Sequence, residues 1–175
     1  EYALVSYTII SYVNTIVVMS MAGIAQGTQP LISYYYGKNE SEKYKKLLKY
    51  GMVAAAAGSV AAVLICYVGA ESIVGLFLKE SEASLSIYSV RVLRIFILSF
   101  LLAGLNVVLG GYFTSVEKAG FATMISLTRS LIALVISLVF LTAVFGGEAI
   151  WWAPLIAESC CLVLSAGLYQ WYRKK

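Results

Sequence analysis

The 175-residue sequence contains no histidine. That removes imidazole proton relays and histidine metal ligands together. Charged residues are scarce at 13%, against about 25% in ordinary soluble domains. So few charges cannot cover a surface facing water. Only three cysteines occur, Cys66, Cys160 and Cys161, all in apolar surroundings and without CxxC spacing. They read as small hydrophobic residues rather than as a disulfide framework or a metal site. No P-loop, G-x-S-x-G or HExxH motif and no paired intramembrane aspartates are present, so the chain reads as no enzyme. A charged n-region followed by a cleavable apolar stretch is also missing. The first residue is Glu1, and the chain reads as part of something longer.

What is abundant is apolar sequence. Hydrophobic residues make up 61% of the chain, and the mean hydropathy is +0.85. Five apolar segments are predicted as helices over residues 2–36, 47–68, 85–114, 120–145 and 149–171. Each is long enough to cross a hydrocarbon core of ~30 Å, which needs ~20 helical residues. The alternating segments of a membrane β-barrel are absent. Lipid offers no partners to backbone N–H and C=O groups, which leaves helices. The expected fold is all-α, a single polytopic bundle over residues 1–175. Ile73, Val74, Leu76 and Phe77, between the second and third segments, fit a short amphipathic turn along the interface.

The basic residues set an orientation. Lys38, Lys43, Lys45, Lys46, Lys49, Lys118, Arg173, Lys174 and Lys175 fall on one side. Lys79, Arg91 and Arg94 fall on the other, diluted by Glu1, Glu71, Glu80, Glu82 and Glu148. The asymmetry places the C-terminus in the cytoplasm and the N-terminus outside. The lysine-rich loop reads as a topology signal touching anionic lipid, not as a nucleic-acid site. Trp151, Trp152 and Trp171 sit at segment ends, as interfacial belts require.

The first segment, with "GIAQGTQPLISYYYG" near its end, is about 35 residues or ~52 Å long as a helix. That exceeds the bilayer. Pro30 lacks an N–H and its ring opposes the carbonyl of Gln26, so a bend is expected there, with Gly23 and Gly27 loosening the same turn. At 100° per residue, Tyr7, Ser11, Asn14, Gln26, Gln29 and Ser33 share one sector. Such a face either glues helices together or lines an aqueous cavity that the bend helps to open. Asn106, flanked by Gly104, Gly110 and Gly111, is likewise a helix-contact amide or a cavity residue. In the second segment, Ala54, Gly58 and Ala62 suggest a small-residue seam.

Two charges fall deep in apolar sequence. Arg129 lies about nine residues into the fourth segment, and Glu158 about nine residues into the fifth from the opposite side. Their depths differ by only ~5 Å on adjacent antiparallel helices. An unpaired charge at mid-bilayer costs at least ~2.5–3.5 kcal/mol, so an Arg129–Glu158 ion pair is expected. It reads as a static strut, or Glu158 serves as a proton or cation site.

Taken together, "GIAQGTQPLISYYYGKNESEKYKKLLKYG", "AGLNVVLGGYFTSVEKA" and "SLTRSLIALVISLVFLTAVFGGEAIWWAPLIAES" resemble the multidrug and toxic compound extrusion (MATE) transporters. Arg129, Gly147 to Ala153, and Ala157 with Glu158 match the motif elements of the last two helices of a half. The resemblance implies a twelve-helix exporter of two six-helix bundles, of which this chain holds five helices of the second. It implies an antiporter of a bacterial cytoplasmic membrane, driven by Na⁺ or H⁺. The cargo would be amphipathic, mostly cationic compounds passing by alternating access, and the partner the N-terminal half of the same protein. Asn14, Gln26, Gln29, Ser33 and Asn106 are the candidate cavity residues. Some members carry a cation-binding carboxylate in the helix matching the third segment. Here Asn106 is the polar group at mid-depth, so the coupling ion is expected mainly outside this chain, and no other cofactor is implied. A lipid-linked oligosaccharide flippase of the same superfamily, or a non-transporting membrane subunit, are the alternatives. A flippase would want a strongly basic cavity, and Arg129 is the only deep cation. The charge asymmetry predicts that, in the complete protein, a reporter fused after Lys175 is active in the cytoplasm. One inserted between residues 79 and 82 is expected to be active only outside, and the reverse pattern would refute the orientation.

Overall fold

The computed structural model describes residues 2–78 and 83–174. The stretch 79–82, with Lys79, Glu80 and Glu82, and the terminal Glu1 and Lys175 lie outside the described residues. All regular elements among the described residues are helical. Helix α1 covers Tyr2–Gly37, α2 Ser41–Val68 and the short α3 Ala70–Gly75. The third span is α4 (Ala83–Phe96) and α5 (Phe100–Ser115), joined by a 3₁₀ turn at Ile97–Ser99. The fourth is α6 (Ala119–Leu127) and α7 (Ala133–Phe145), joined by a π-helical segment at Thr128–Ile132. A 3₁₀ turn at Gly147–Trp152 leads into α8 (Ala153–Lys174). Among the described residues, five helical stretches are long and apolar enough to cross a membrane.

Helix α2 begins six residues before the apolar run at Leu47. Its first turns carry Glu42, Lys43, Lys45 and Lys46, charges that cannot sit in hydrocarbon. A hydrophobic window therefore missed helix that projects beyond the membrane. Pro30 lies within an unbroken α1, with no separate element on either side of it. Pro30 is exposed on the surface of the helix.

The third span is the centre of the bundle. Helix α5 buries Phe100, Val108, Tyr112 and Phe113 almost completely. It runs parallel to α1 in constant register. Ser6 and Ser89 share a hydrogen bond of 2.8 Å, 83 positions apart. Ser33 Oγ donates to the Ser115 carbonyl at 3.2 Å, 82 positions apart. Glycines on α5 permit this approach. A Cβ on Gly104 would lie 2.5 Å from Ser59 Oγ and 3.0 Å from Met21 Sδ. A Cβ on Gly111 would lie 2.7 Å from Gln29 Nε2.

The small-residue seam of α2 falls one position from the expected Ala54–Gly58–Ala62 series. Gly51, Ala55 and Ser59 are the buried set, while Ala54 is exposed. Gly58 keeps a secondary contact with Met21 and Ile24. Small residues occur consecutively in this stretch, so spacing alone fits both series. The register is decided by Val108, Thr28 and Gly104 opposite.

Aromatic residues gather at both ends. Tyr2 and Trp151 each pack against Tyr88 at one end. At the lysine-bearing end, Tyr112 contacts Tyr44, Tyr169 and Tyr172. Within α3, Ala70 and Val74 are fully buried, while Leu76 beyond it is 84% exposed. Phe77 stacks on Tyr12 at 5.7 Å. This two-sided turn matches an interfacial position.

Replacing Gly104 by Val should destabilise the complete protein by about 1–3 kcal/mol, because neither Ser59 nor the Ala55 carbonyl can retreat far. Gly120→Val, where nothing lies within 4 Å, is the control. Thermal unfolding in detergent reads the difference, and equal melting temperatures would contradict this packing.

Candidate functional site: a cavity walled by four spans

A cavity of about 650 Å³ opens between the first, third, fourth and fifth spans. Each wall is one face of a helix. From α1 come Leu4, Tyr7, Ser11, Asn14 and Val18, at three- and four-residue spacing. Phe96, Ser99 and Ala103 follow the same rule across the third span. Ser130, Leu134 and Leu138 come from the fourth, and Trp151, Pro154, Ala157 and Glu158 from the fifth. The volume is within the ~300–1,000 Å³ of small-molecule sites, and the walls are mainly apolar with a few polar groups.

Irregular backbone shapes three of those walls. Ser99 ends the 3₁₀ turn of the third span, and Ile150 and Trp151 belong to the turn before α8. Arg129 and Ser130 belong to the π-helical segment. Arg129 and Ser130, consecutive in that segment, both reach the cavity.

The charged centre has defined hydrogen bonds. Arg129 Nε donates to Glu158 Oε1 at 2.7 Å. Asn106 Nδ2 donates to Glu158 Oε2 at 2.7 Å and to the Glu158 carbonyl at 3.0 Å. Ser165 Oγ lies 3.5 Å from Asn106 Oδ1 and 2.8 Å from the Cys161 carbonyl, so its single proton goes to the closer oxygen. Both carboxylate oxygens of Glu158 are thus engaged, by two different spans. The side chains of Arg129 and Glu158 remain 22% and 12% exposed, facing the cavity. No group of three or more metal-ligating side chains occurs among the described residues.

The family model MatE matches residues 1–139. The chain belongs to the MatE family. Multidrug export protein MepA of Staphylococcus haemolyticus (strain JCSC1435) is 25% identical over 165 residues, which is 94% of this chain and 36% of that protein. MepA of Staphylococcus aureus (strain MRSA252) is 23% identical, over 92% of this chain and 35% of that protein. The chain therefore spans about a third of the length of the curated relatives it matches. The fold matches an outward-facing multidrug resistance MATE family transporter of the MOP superfamily. There the TM-score is 0.88 at 16% identity, over 99% of this chain and 38% of the other. An inward-facing conformation matches with a TM-score of 0.83 at 17% identity, over 97% and 38%. This MatE chain is a multi-pass membrane helix bundle.

The candidate residues distribute unevenly. Asn14 lines the cavity, and Arg129 and Glu158 meet there. Asn106, a candidate for the cavity wall, is instead 1% exposed and held between helices by Glu158. Its amide faces α8 because α5 is enclosed on most of its circumference. Gln26, Gln29 and Ser33 also lie outside this cavity. Ser33 bonds α5, Gln29 packs against Gly111, and Gln26 is exposed beyond the end of the pocket. The pocket within this chain follows α1 only as far as Val18. Of the bend positions, Gly23 and Gly27 are exposed with nothing within 4 Å of a Cβ, so no packed neighbour requires glycine there. Ser99 and Ser130 were not singled out in the sequence, and Trp151 was read there only as a belt residue. Their signal is backbone irregularity, which residue types do not announce.

Glu158→Gln should leave the Arg129 guanidinium without counter-charge and cost about 3 kcal/mol of stability. Arg129→Gln should cost a similar amount, and the double substitution should recover most of it. Melting temperatures of the complete protein would show this, and fully additive losses would argue against direct coupling.

Proposed function

We propose that this chain supplies five helices of the C-terminal half of a Na⁺- or H⁺-coupled multidrug antiporter. The whole protein exports amphipathic compounds, organic cations foremost, across the cytoplasmic membrane of a bacterium by alternating access. The observation that carries this reading is the 650 Å³ cavity. It is apolar enough to hold drug-like rings, yet it contains an ion pair and the Asn14 amide in the middle of membrane-spanning helices. Intramembrane ionisable groups beside a cavity mark transport pathways. Aromatic faces at Tyr7, Phe96 and Trp151 suit planar or cationic cargo. The names of the MepA relatives and of the multidrug resistance transporters with the same fold support the same reading.

The N-terminal six-helix half is the partner in this scheme, and the coupling ion sits mainly there. Glu158 is a poor free cation ligand, because its charge is already paired with Arg129. Five spans enclose only one lobe, and the 3₁₀ and π turns provide the places where that lobe yields as access alternates. A flippase for a pyrophosphate-linked lipid fits less well, since among the described residues Arg129 is the only cation lining the cavity.

The test is reconstitution of the complete protein in vesicles with a fluorescent organic cation. Dye should leave against its gradient when Na⁺ or H⁺ is allowed to run down the opposite way. A cysteine at Asn14 should react with an aqueous thiol reagent in at least one ion condition. The five-span chain expressed alone should give no efflux. Absence of ion-driven efflux by the complete protein would refute the proposal.

A further inference from the structure

The donors and acceptors at the charged centre do not balance. A guanidinium carries five N–H donors, and a carboxylate offers acceptors only. Glu158 gives Oε1 to Arg129 Nε and Oε2 to Asn106. The Arg129 contact is therefore made edge-on, through one nitrogen, rather than as the two-nitrogen fork arginine usually makes with a carboxylate. Among the described residues, nothing accepts from Nη1 or Nη2 of Arg129. Those groups belong to a side chain that lines an apolar cavity in its partly exposed portion. Each carboxylate oxygen is held by a different donor, and the Nη edge of the guanidinium has no protein acceptor among the described residues.

We propose that Arg129 is a docking point for a carboxylate carried by an amphipathic cargo molecule. The Nη1–Nη2 edge takes its two oxygens as a fork, while the aromatic body of the cargo rests against Tyr7, Phe96 and Trp151. This deepens the reading of the cavity as a cargo site and rests on it. Three features favour the assignment. The π-helical segment presents Arg129 and Ser130 together, so a second donor adjoins the fork. Asn106 holds Glu158 from behind, so the carboxylate does not swing to fill the fork itself. The surrounding Leu134, Leu138 and Ala157 are apolar and lower the local dielectric, which strengthens a charge-assisted pair. The cargo class that follows is aromatic acids and zwitterions, alongside simple organic cations.

The experiment is equilibrium binding to the complete transporter in phosphatidylcholine nanodiscs, with 2-naphthoate and its neutral isostere 2-naphthamide. Naphthoate should bind about tenfold or more tightly than naphthamide. Arg129→Lys keeps the charge but loses the fork, and should weaken naphthoate about tenfold. Arg129→Gln combined with Glu158→Gln keeps the site neutral and should weaken it by about 10- to 100-fold. Naphthamide affinity should stay within about twofold in both. Equal naphthoate affinity in all three proteins would overturn the assignment, as would happen if another part of the protein occupies the Nη groups. Parallel loss of both ligands would overturn it too, since a purely structural strut gives that result. Phosphatidylglycerol in the disc that abolishes naphthoate binding would assign the fork to a lipid phosphate instead. Binding is read without transport, so Arg129-dependent naphthoate binding without efflux would sink the antiporter reading alone. Efflux with Arg129-independent naphthoate binding would sink this one alone.

Discussion

A charge or amide taken into hydrocarbon must find a partner inside the protein, because the solvent offers none. That constraint organises the centre of this bundle. Arg129, Glu158 and Asn106 come from the fourth, fifth and third spans, and each supplies what another lacks. The three spans are tied at mid-depth by one small network. Among the described residues only Nε of the Arg129 guanidinium has a protein acceptor, on a side chain that also lines the cavity.

The third span makes this possible by being thin where others are thick. Gly104 and Gly111 let Met21 and Gln29 of α1 come within contact of the α5 backbone. The helices then run parallel in one register from the Ser6–Ser89 bond to the Ser33–Ser115 bond. Association in lipid draws little on the hydrophobic effect, so close approach and interhelical hydrogen bonds carry it. The cavity lies on the side of the third span where Phe96, Ser99 and Ala103 face outward from this seam.

Departures from α-helix are concentrated at the cavity wall. The 3₁₀ turns at Ile97–Ser99 and Gly147–Trp152 and the π segment at Thr128–Ile132 all contribute lining residues. Sequence neighbours reach the pocket from these turns, Ile150 with Trp151 and Arg129 with Ser130, and from regular α1 and α8 as well, Ile10 with Ser11 and Ala157 with Glu158.

Composition alone determined that this chain is a bundle of membrane helices, because 13% charged residues cannot clothe a water-facing surface. Segment length set the number of spans, and depth counting brought Arg129 and Glu158 to the same level, since 1.5 Å per residue is fixed by helix geometry. Periodicity placed Asn14, Gln26, Gln29 and Ser33 on one face but gave no depth for the cavity, so only Asn14 reaches it. The helical part of α2 before Leu47 was hidden because hydropathy marks membrane, not helix. Only the tertiary structure decided which small residues of α2 are buried, since Gly51–Ala55–Ser59 and Ala54–Gly58–Ala62 have the same spacing and differ only in what packs opposite. It also decided that Asn106 serves Glu158 rather than the pocket. The direction an amide faces depends on which helix passes beside it, and local sequence carries no record of that neighbour.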